Sequence, residues 1–340
     1  MKKLLNIDLT LFAEVQTTLL KTEGNDLSPE MKVYYEKQLL EDSKANLVHS
    51  QFGQKKKIPK GNGKSIEFRK FTQLPPATQP IAEGVTPDGN KLDVKAITAE
   101  VEQYGDYILM SDLLDLTAID PVLVEASKVL GNQASLTLDT LTRDELHTGN
   151  NVMYAQKVVG DVKTDITSRK DLTDTARLTV DGVYRAAAAL KRMNAPKING
   201  YYVAIIHPDA AFDIVRDDEW VEAHKYASPE EIYEGEIGKL GGVRFVESSN
   251  AKIYKDNTCP DGLAVYGTLF FGADAYGDVE LEGGGLEHIV KQKGSSGTAD
   301  PLNQRSSAGW KASHTSIILH QERLLRFEST SAFSGISEAN

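Results

Sequence analysis

Asn199-Gly-Tyr-Tyr-Val-Ala-Ile-Ile-His-Pro-Asp209 holds an unbroken apolar run between polar ends. A short continuous run of this kind, rich in β-branched and aromatic side chains, reads as a buried strand. Pro208 suits the first turn of a helix, so the strand passes straight into one over residues 208–215. Towards the C-terminus, residues 243–247, 263–271 and 286–293 read as further strands. A Gly/Ser-rich connection spans 294–309, one or two strands span 314–327, and the last ten residues read as loose. Towards the N-terminus, residues 171–193 read as a helix with an alanine run, and 152–168 as short strands.

Asp120-Pro121 opens another helix. Leu123, Leu130, Ala134, Leu138 and Leu141 recur at helical spacings up to Gly149, which predicts an amphipathic helix roughly 28 residues long. Ser28-Pro-Glu starts an earlier helix, expected to run to about Gln51 and stop at Gly53. Helices and strands are interspersed with no repeat of 20 to 50 residues, so the expected class is α+β.

Residues 54–110 differ from their flanks. Ser65-Ile-Glu-Phe-Arg-Lys-Phe71 alternates polar and apolar, turn-rich Pro75-Pro76 and Pro87-Asp-Gly89 follow, and residues 91–110 are again strand-like. This predicts a long two-stranded arm. Two strands alone bury too little to be stable in water, so Phe68, Phe71, Val94, Ile97 and Val101 need cover from the rest of the chain or from a neighbouring subunit.

Composition excludes several functions. Lys plus Arg number 38 and Asp plus Glu 49, a net charge of −11, which does not suit nucleic-acid binding over a whole surface. Weak, sequence-independent DNA contact is expected only from Lys2, Lys3, Lys55, Lys56, Lys57 and Lys60. The single cysteine, Cys259, excludes an internal disulfide and a Cys-rich zinc site, and reads as a small buried hydrophobe. No window approaches the ~20 apolar residues of a membrane span. Asn6 and Asp8 interrupt the apolar run of residues 1–13, which reads as a sticky arm rather than a secretion signal.

Catalytic motifs are missing. Ile58-Pro-Lys-Gly-Asn-Gly-Lys-Ser65 ends like a phosphate-binding loop, but its first position is not glycine and an alternating strand follows where a helix is required. It reads as a basic turn, with a nucleotide-dependent enzyme using Lys64 and Ser65 as a remote alternative. His314 and His320 would share one face of a continuous strand, but no third metal ligand is evident. No cofactor, metal or catalytic residue is assigned.

The order of these parts, together with Asn199–Asp209, Gly235-Glu-Ile-Gly-Lys-Leu-Gly-Gly-Val-Arg-Phe-Val-Glu247, Phe270-Phe-Gly-Ala-Asp-Ala-Tyr276, Asp300-Pro-Leu-Asn-Gln-Arg-Ser-Ser-Ala-Gly-Trp-Lys311 and His320-Gln-Glu-Arg-Leu-Leu-Arg-Phe327, resembles the major capsid proteins of tailed bacteriophages. These share the Hong Kong ninety-seven type shell fold, and the stretches are most similar to the branch typified by coliphage N-four. The resemblance implies an N-terminal arm and helix at 1–53, an extended hairpin loop at 54–110, and a peripheral domain with a spine helix at 111–165. It further implies an axial domain at 166–300, return strands of the peripheral domain at 301–330 and a tail at 331–340. It implies hexamers and pentamers in an icosahedral shell around double-stranded DNA, a separate scaffolding protein, a portal, no membrane partner, and a place in the virion after assembly in the host cytoplasm. A bacterial nanocompartment shell of the same fold is the runner-up. The Lys–Asn crosslink of some relatives has no aligned counterpart here.

Overall fold

The structure is a computed structural model describing residues 47–72, 74–78, 80, 84, 89–115, 122–160, 162–217, 219–220, 238–295 and 300–340. The expected first helix lies outside these residues up to position 46, and residues 47–53 form turns rather than its last two turns. The chain divides into two compact units.

The larger unit takes residues 46–102, 136–285 and 313–340. Its sheet runs β5 (Val152–Tyr154), β16 (Leu324–Ser329), β12 (Val265–Phe271), β8 (Tyr202–Ile206), β10 (Val243–Glu247), β9 (Lys239–Leu240), with β11 (Ile253–Tyr254) added on β12. The apolar run that reads as a buried strand is β8, at the heart of this sheet. It pairs in parallel with β10 and antiparallel with β12, and every one of its residues is buried. Alternation places Tyr202, Ala204 and Ile206 in one core, with α3 (Val180–Arg192) and α4 (Pro208–Val215). Val203 and Ile205 enter a second core, with Leu146, Leu269, Phe271 and Tyr276. Two covered faces explain why the sequence shows a continuous apolar stretch and no alternation.

α4 starts where expected, capped by His207, whose ring accepts from the Asp209 amide. α3 starts nine residues later than expected, at Val180. The Thr179 hydroxyl caps it by accepting from the Gly182 amide, and the Asp217 carboxylate accepts from the Val180 amide. The local Thr179 cap and the distant Asp217 carboxylate together fix the N-terminus at Val180.

A second set of strands in this unit is β1 (Gln54–Ile58), parallel to β13 (Tyr276–Leu281), which in turn is antiparallel to residues 315–318 of β15 (Arg305–Ile318). β15 is one long strand, so the connection expected at 294–309 ends at Arg305. It also stops at Ile318, so His320 is not on a strand with His314. The tail is docked, not loose: Asn340 accepts from the Ile253 amide at 2.9 Å and donates to the Ala251 carbonyl at 2.9 Å. Ser331 and Ser334 are buried.

The smaller unit includes residues 103–135 and 286–312. Here β14 (Glu287–Lys291) and β4 (Glu102–Ser111) both pair with β15, followed in chain order from β4 by the short α1 (Asp112–Asp115) and the start of α2 (Val122–Leu146). α2 is the long helix expected at 121–148. Trp310 Nε1 donates to Gln133 Oε1 at 3.1 Å, and Gln133 Nε2 donates to Asp106 Oδ2 at 2.6 Å. Gly105 is required by close approach, because a Cβ there would lie 2.6 Å from the Trp310 carbonyl oxygen. Gly105→Ala must push a paired backbone aside, and is expected to cost about 1–3 kcal/mol in a denaturant titration.

Both α2 and β15 run through a unit boundary.

Candidate assembly interface

The two-stranded arm exists, but is shorter than residues 54–110. Its ladder is β2 (Ser65–Phe71) against β3 (Val94–Glu100), antiparallel from Ser65↔Glu100 to Phe71↔Val94. β1 belongs with β13 and β4 with β15, so neither is part of the arm. The basic turn between β1 and β2 therefore links strands with different partners, not the two sides of one hairpin.

The alternation of β2 and β3 gives the arm two unlike faces. Ile66, Phe68, Ile97 and Ala99 turn inward, and pack with Ile58, Val101, Val279 and Leu319. Phe68 and Val101 are each only 5% exposed. Gly277 makes room for Phe68, since a Cβ there would lie 2.9 Å from the ring. Lys56 Nζ lies 4.6 Å from the centre of the same ring, and Lys70 Nζ bridges Glu322 at 3.0 Å. The root of the arm is thus covered within the subunit. Of the residues that sequence reading left in need of cover, Phe68 and Val101 find it in their own chain, and Ile97 is half covered there.

The opposite face is bare at the far end. Phe71 and Val94 are direct cross-strand partners, 59% and 44% exposed. Leu74 and Leu92 beyond them are 48% and 63% exposed. Among the described residues no third strand pairs with β2 or β3, so these apolar side chains form an exposed patch. Leu74 and Leu92 went unremarked in the sequence because they sit in a turn-rich stretch without periodicity.

The described lysines have different surroundings. Lys57 Nζ lies 3.7 Å from Glu280, and Lys60 lies against Gly283. Lys55 is exposed, while Lys56 is half covered over Phe68. Lys2 and Lys3 lie outside the described residues. Cys259 is buried, and burial pushes its thiol up, as befits a small hydrophobe. Among the described residues, no cluster of His, Cys, Asp and Glu is arranged to hold a metal ion, and no helix is long and apolar enough to cross a membrane.

Residues 142–292 match a family of sequences described as phage capsid protein. No curated protein matches the chain in sequence. In three dimensions it is similar to the capsid of Ralstonia phage GP4, with a TM-score of 0.63 at 14% identity over 95% of this chain and 98% of that one. It is also similar to the capsid of cyanophage P-SCSP1u, with a TM-score of 0.60 at 15% identity over 84% and 89%. The mature capsid of bacteriophage PhiM1 gives a TM-score of 0.58 at 13% identity over 95% and 96%. At such identities the structures establish the shared fold, and the family match adds the sequence relationship at the centre of the chain. The protein accordingly shares the Hong Kong ninety-seven type α+β shell fold of these phage capsids, and its residues 142–292 carry the sequence pattern of the phage capsid protein family.

Proposed function

We propose that the chain is a phage major capsid protein that tiles an icosahedral shell as hexamers and pentamers around double-stranded DNA, and that the far end of the β2–β3 arm lies on a neighbouring subunit. The observation that carries this is the exposed apolar group Phe71, Leu74, Leu92 and Val94, at the end of an arm whose root is buried. A surface of this kind is a liability on a free subunit and a ready contact in an assembly. Assembly takes place in the host cytoplasm with a separate scaffolding protein and a portal. The chain belongs with the branch typified by coliphage N-four, a reading supported by the sequence stretches quoted above. DNA contact is weak and sequence-independent, since the chain carries a net charge of −11 and Lys57 is already beside Glu280.

Sedimentation and electron microscopy of the purified chain, alone and with its scaffolding protein, test the reading. Capsomers or closed shells are expected. A monomer that persists at every protein concentration with scaffold present would overturn it.

A further inference from the structure

Asp278 and His314 face each other from neighbouring strands, β13 and β15, and both are nearly fully buried. Asp278 lies opposite Lys55 of β1 on one side and Ser316 of β15 on the other. His314 Nδ1 is 3.2 Å from Asp278 Oδ1, and that oxygen has no other hydrogen-bond partner among the described residues. Across the ring, Nε2 is 2.9 Å from Thr142 Oγ1 on α2 and 3.3 Å from Ser316 Oγ.

Counting protons decides what this arrangement is. Thr142 donates its single hydroxyl proton to the Leu138 carbonyl one turn back, at 3.1 Å, so Ser316, whose Oγ is 3.0 Å from the same Thr142 oxygen, is the donor in that second pair. With the hydroxyl protons assigned in this way, both oxygens accept from His314, and the neutral ring is assigned its proton on Nε2. Nδ1 is left with a bare lone pair aimed at Asp278 Oδ1. Two lone pairs in a dry site repel, and a proton between them turns that contact into a hydrogen bond.

We propose that Asp278 and His314 form a buried proton-holding site that ties β13 and β15 to the C-terminal part of α2, and that loss of this one proton loosens the seam. The charges around it favour the carboxyl as the proton's seat. Burial and the neighbouring Glu280 push Asp278 up to about 7, with Lys55 of β1 working against them. Burial pushes His314 down to about 4. Tyr276 on the same strand stays protonated, since burial pushes its hydroxyl up.

The signs follow. A raised carboxyl contributes stability that is full below its ordinary value of 3.8 and lost as pH rises through about 7. A lowered histidine contributes stability that is full above 6.5 and lost as pH falls through about 4. In the native chain these trends largely cancel between the two, because folding moves the proton from imidazole to carboxyl. Replacing one member uncovers the other.

Asn at position 278 keeps the shape, and its Nδ2–H can donate to Nδ1 at every pH. The melting temperature of Asp278→Asn relative to the native chain is expected to rise between about pH 5 and about pH 8, with the native chain level or ahead at the lower value and behind at the higher. Parallel pH profiles would overturn the proposal. Infrared spectra of the native full-length chain give a second readout, which does not depend on the variant folding. A protonated-carboxyl carbonyl band is expected below neutral pH and should fade above it. A native chain without that band would show an ionised Asp278 and overturn the proposal.

Discussion

Subunits lacking residues 74–90 are expected to fold normally and to fail at closing shells. These residues lie beyond the last rung of the arm, Phe71↔Val94, and beyond the bond from the Thr72 amide to the Asp93 carbonyl at 2.9 Å. Every described residue among them is exposed. Removing them leaves a short hairpin loop between β2 and β3 and touches neither core. Circular dichroism and melting should therefore match the native chain, as surface changes usually move stability by only about ±0.5 kcal/mol. Assembly has more to lose. At ~25 cal/mol per Å2, a few hundred square ångströms of apolar contact per subunit is worth several kcal/mol, repeated at every contact of a closed shell. The double variant Phe71→Ser and Val94→Thr separates apolar cover from arm length, since it keeps every backbone bond and removes most of the exposed apolar pair. Electron microscopy should show missing or fragile shells for both. Robust shells would end the clamp reading, and an unfolded deletion variant would place the tip in the subunit core.

Asp139→Ala should be the most destabilising single substitution in the lower part of α2, by about 3–5 kcal/mol, the usual cost of breaking a buried charged network. Asp139 is fully buried and accepts four hydrogen bonds. Oδ1 takes the amides of Val48 and His49, at 2.9 and 2.8 Å. Oδ2 takes His49 Nδ1 at 2.8 Å and Asn250 Nδ2 at 2.9 Å. One turn on, Arg143 Nη1 holds the Asn250 carbonyl at 3.0 Å and its side-chain oxygen at 2.9 Å. Alanine at 139 leaves these buried donors unmatched, and each costs about 1–3 kcal/mol before relaxation. Burial works to raise the Asp139 carboxyl, but hydrogen bonds from His49 and Asn250 and the His49 charge outweigh it and hold the carboxyl below its usual range. A lowered carboxyl stabilises the fold above its ordinary value of 3.8, and that share is lost as pH falls below it. Urea titrations near neutral pH and in acid check both parts. A loss below about 1 kcal/mol at neutral pH would mean that the network is not closed as described.

Strands and helices with one dominant signal were legible from sequence. β8 follows from its apolar run, α4 from His-Pro-Asp, and α2 from leucine spacing with Asp120-Pro121 ahead of it. Local chemistry suffices there, because periodicity and capping act within a few residues of chain. The late start of α3 and the early start of β15 were not legible. The first is set in part by Asp217 binding the Val180 amide from 37 residues away, the second by pairing with β14 and β4.

The sequence by itself determined the α+β class, the long helix, the existence of a two-stranded arm and the absence of any recognised catalytic motif. Each rests on local pattern and composition. Only the tertiary structure decided which face of the arm is covered. β2 and β3 alternate in the same way along both faces, and whether Phe68 or Phe71 meets a core depends on the placement of β13, over two hundred residues away. The same holds for α2, whose leucines announce a helix but say nothing of the burial of Asp139, Thr142 and Arg143. They are buried because residues 48–49, 250 and 314 bring partners to them, and no spacing within a helix encodes a partner from another part of the chain.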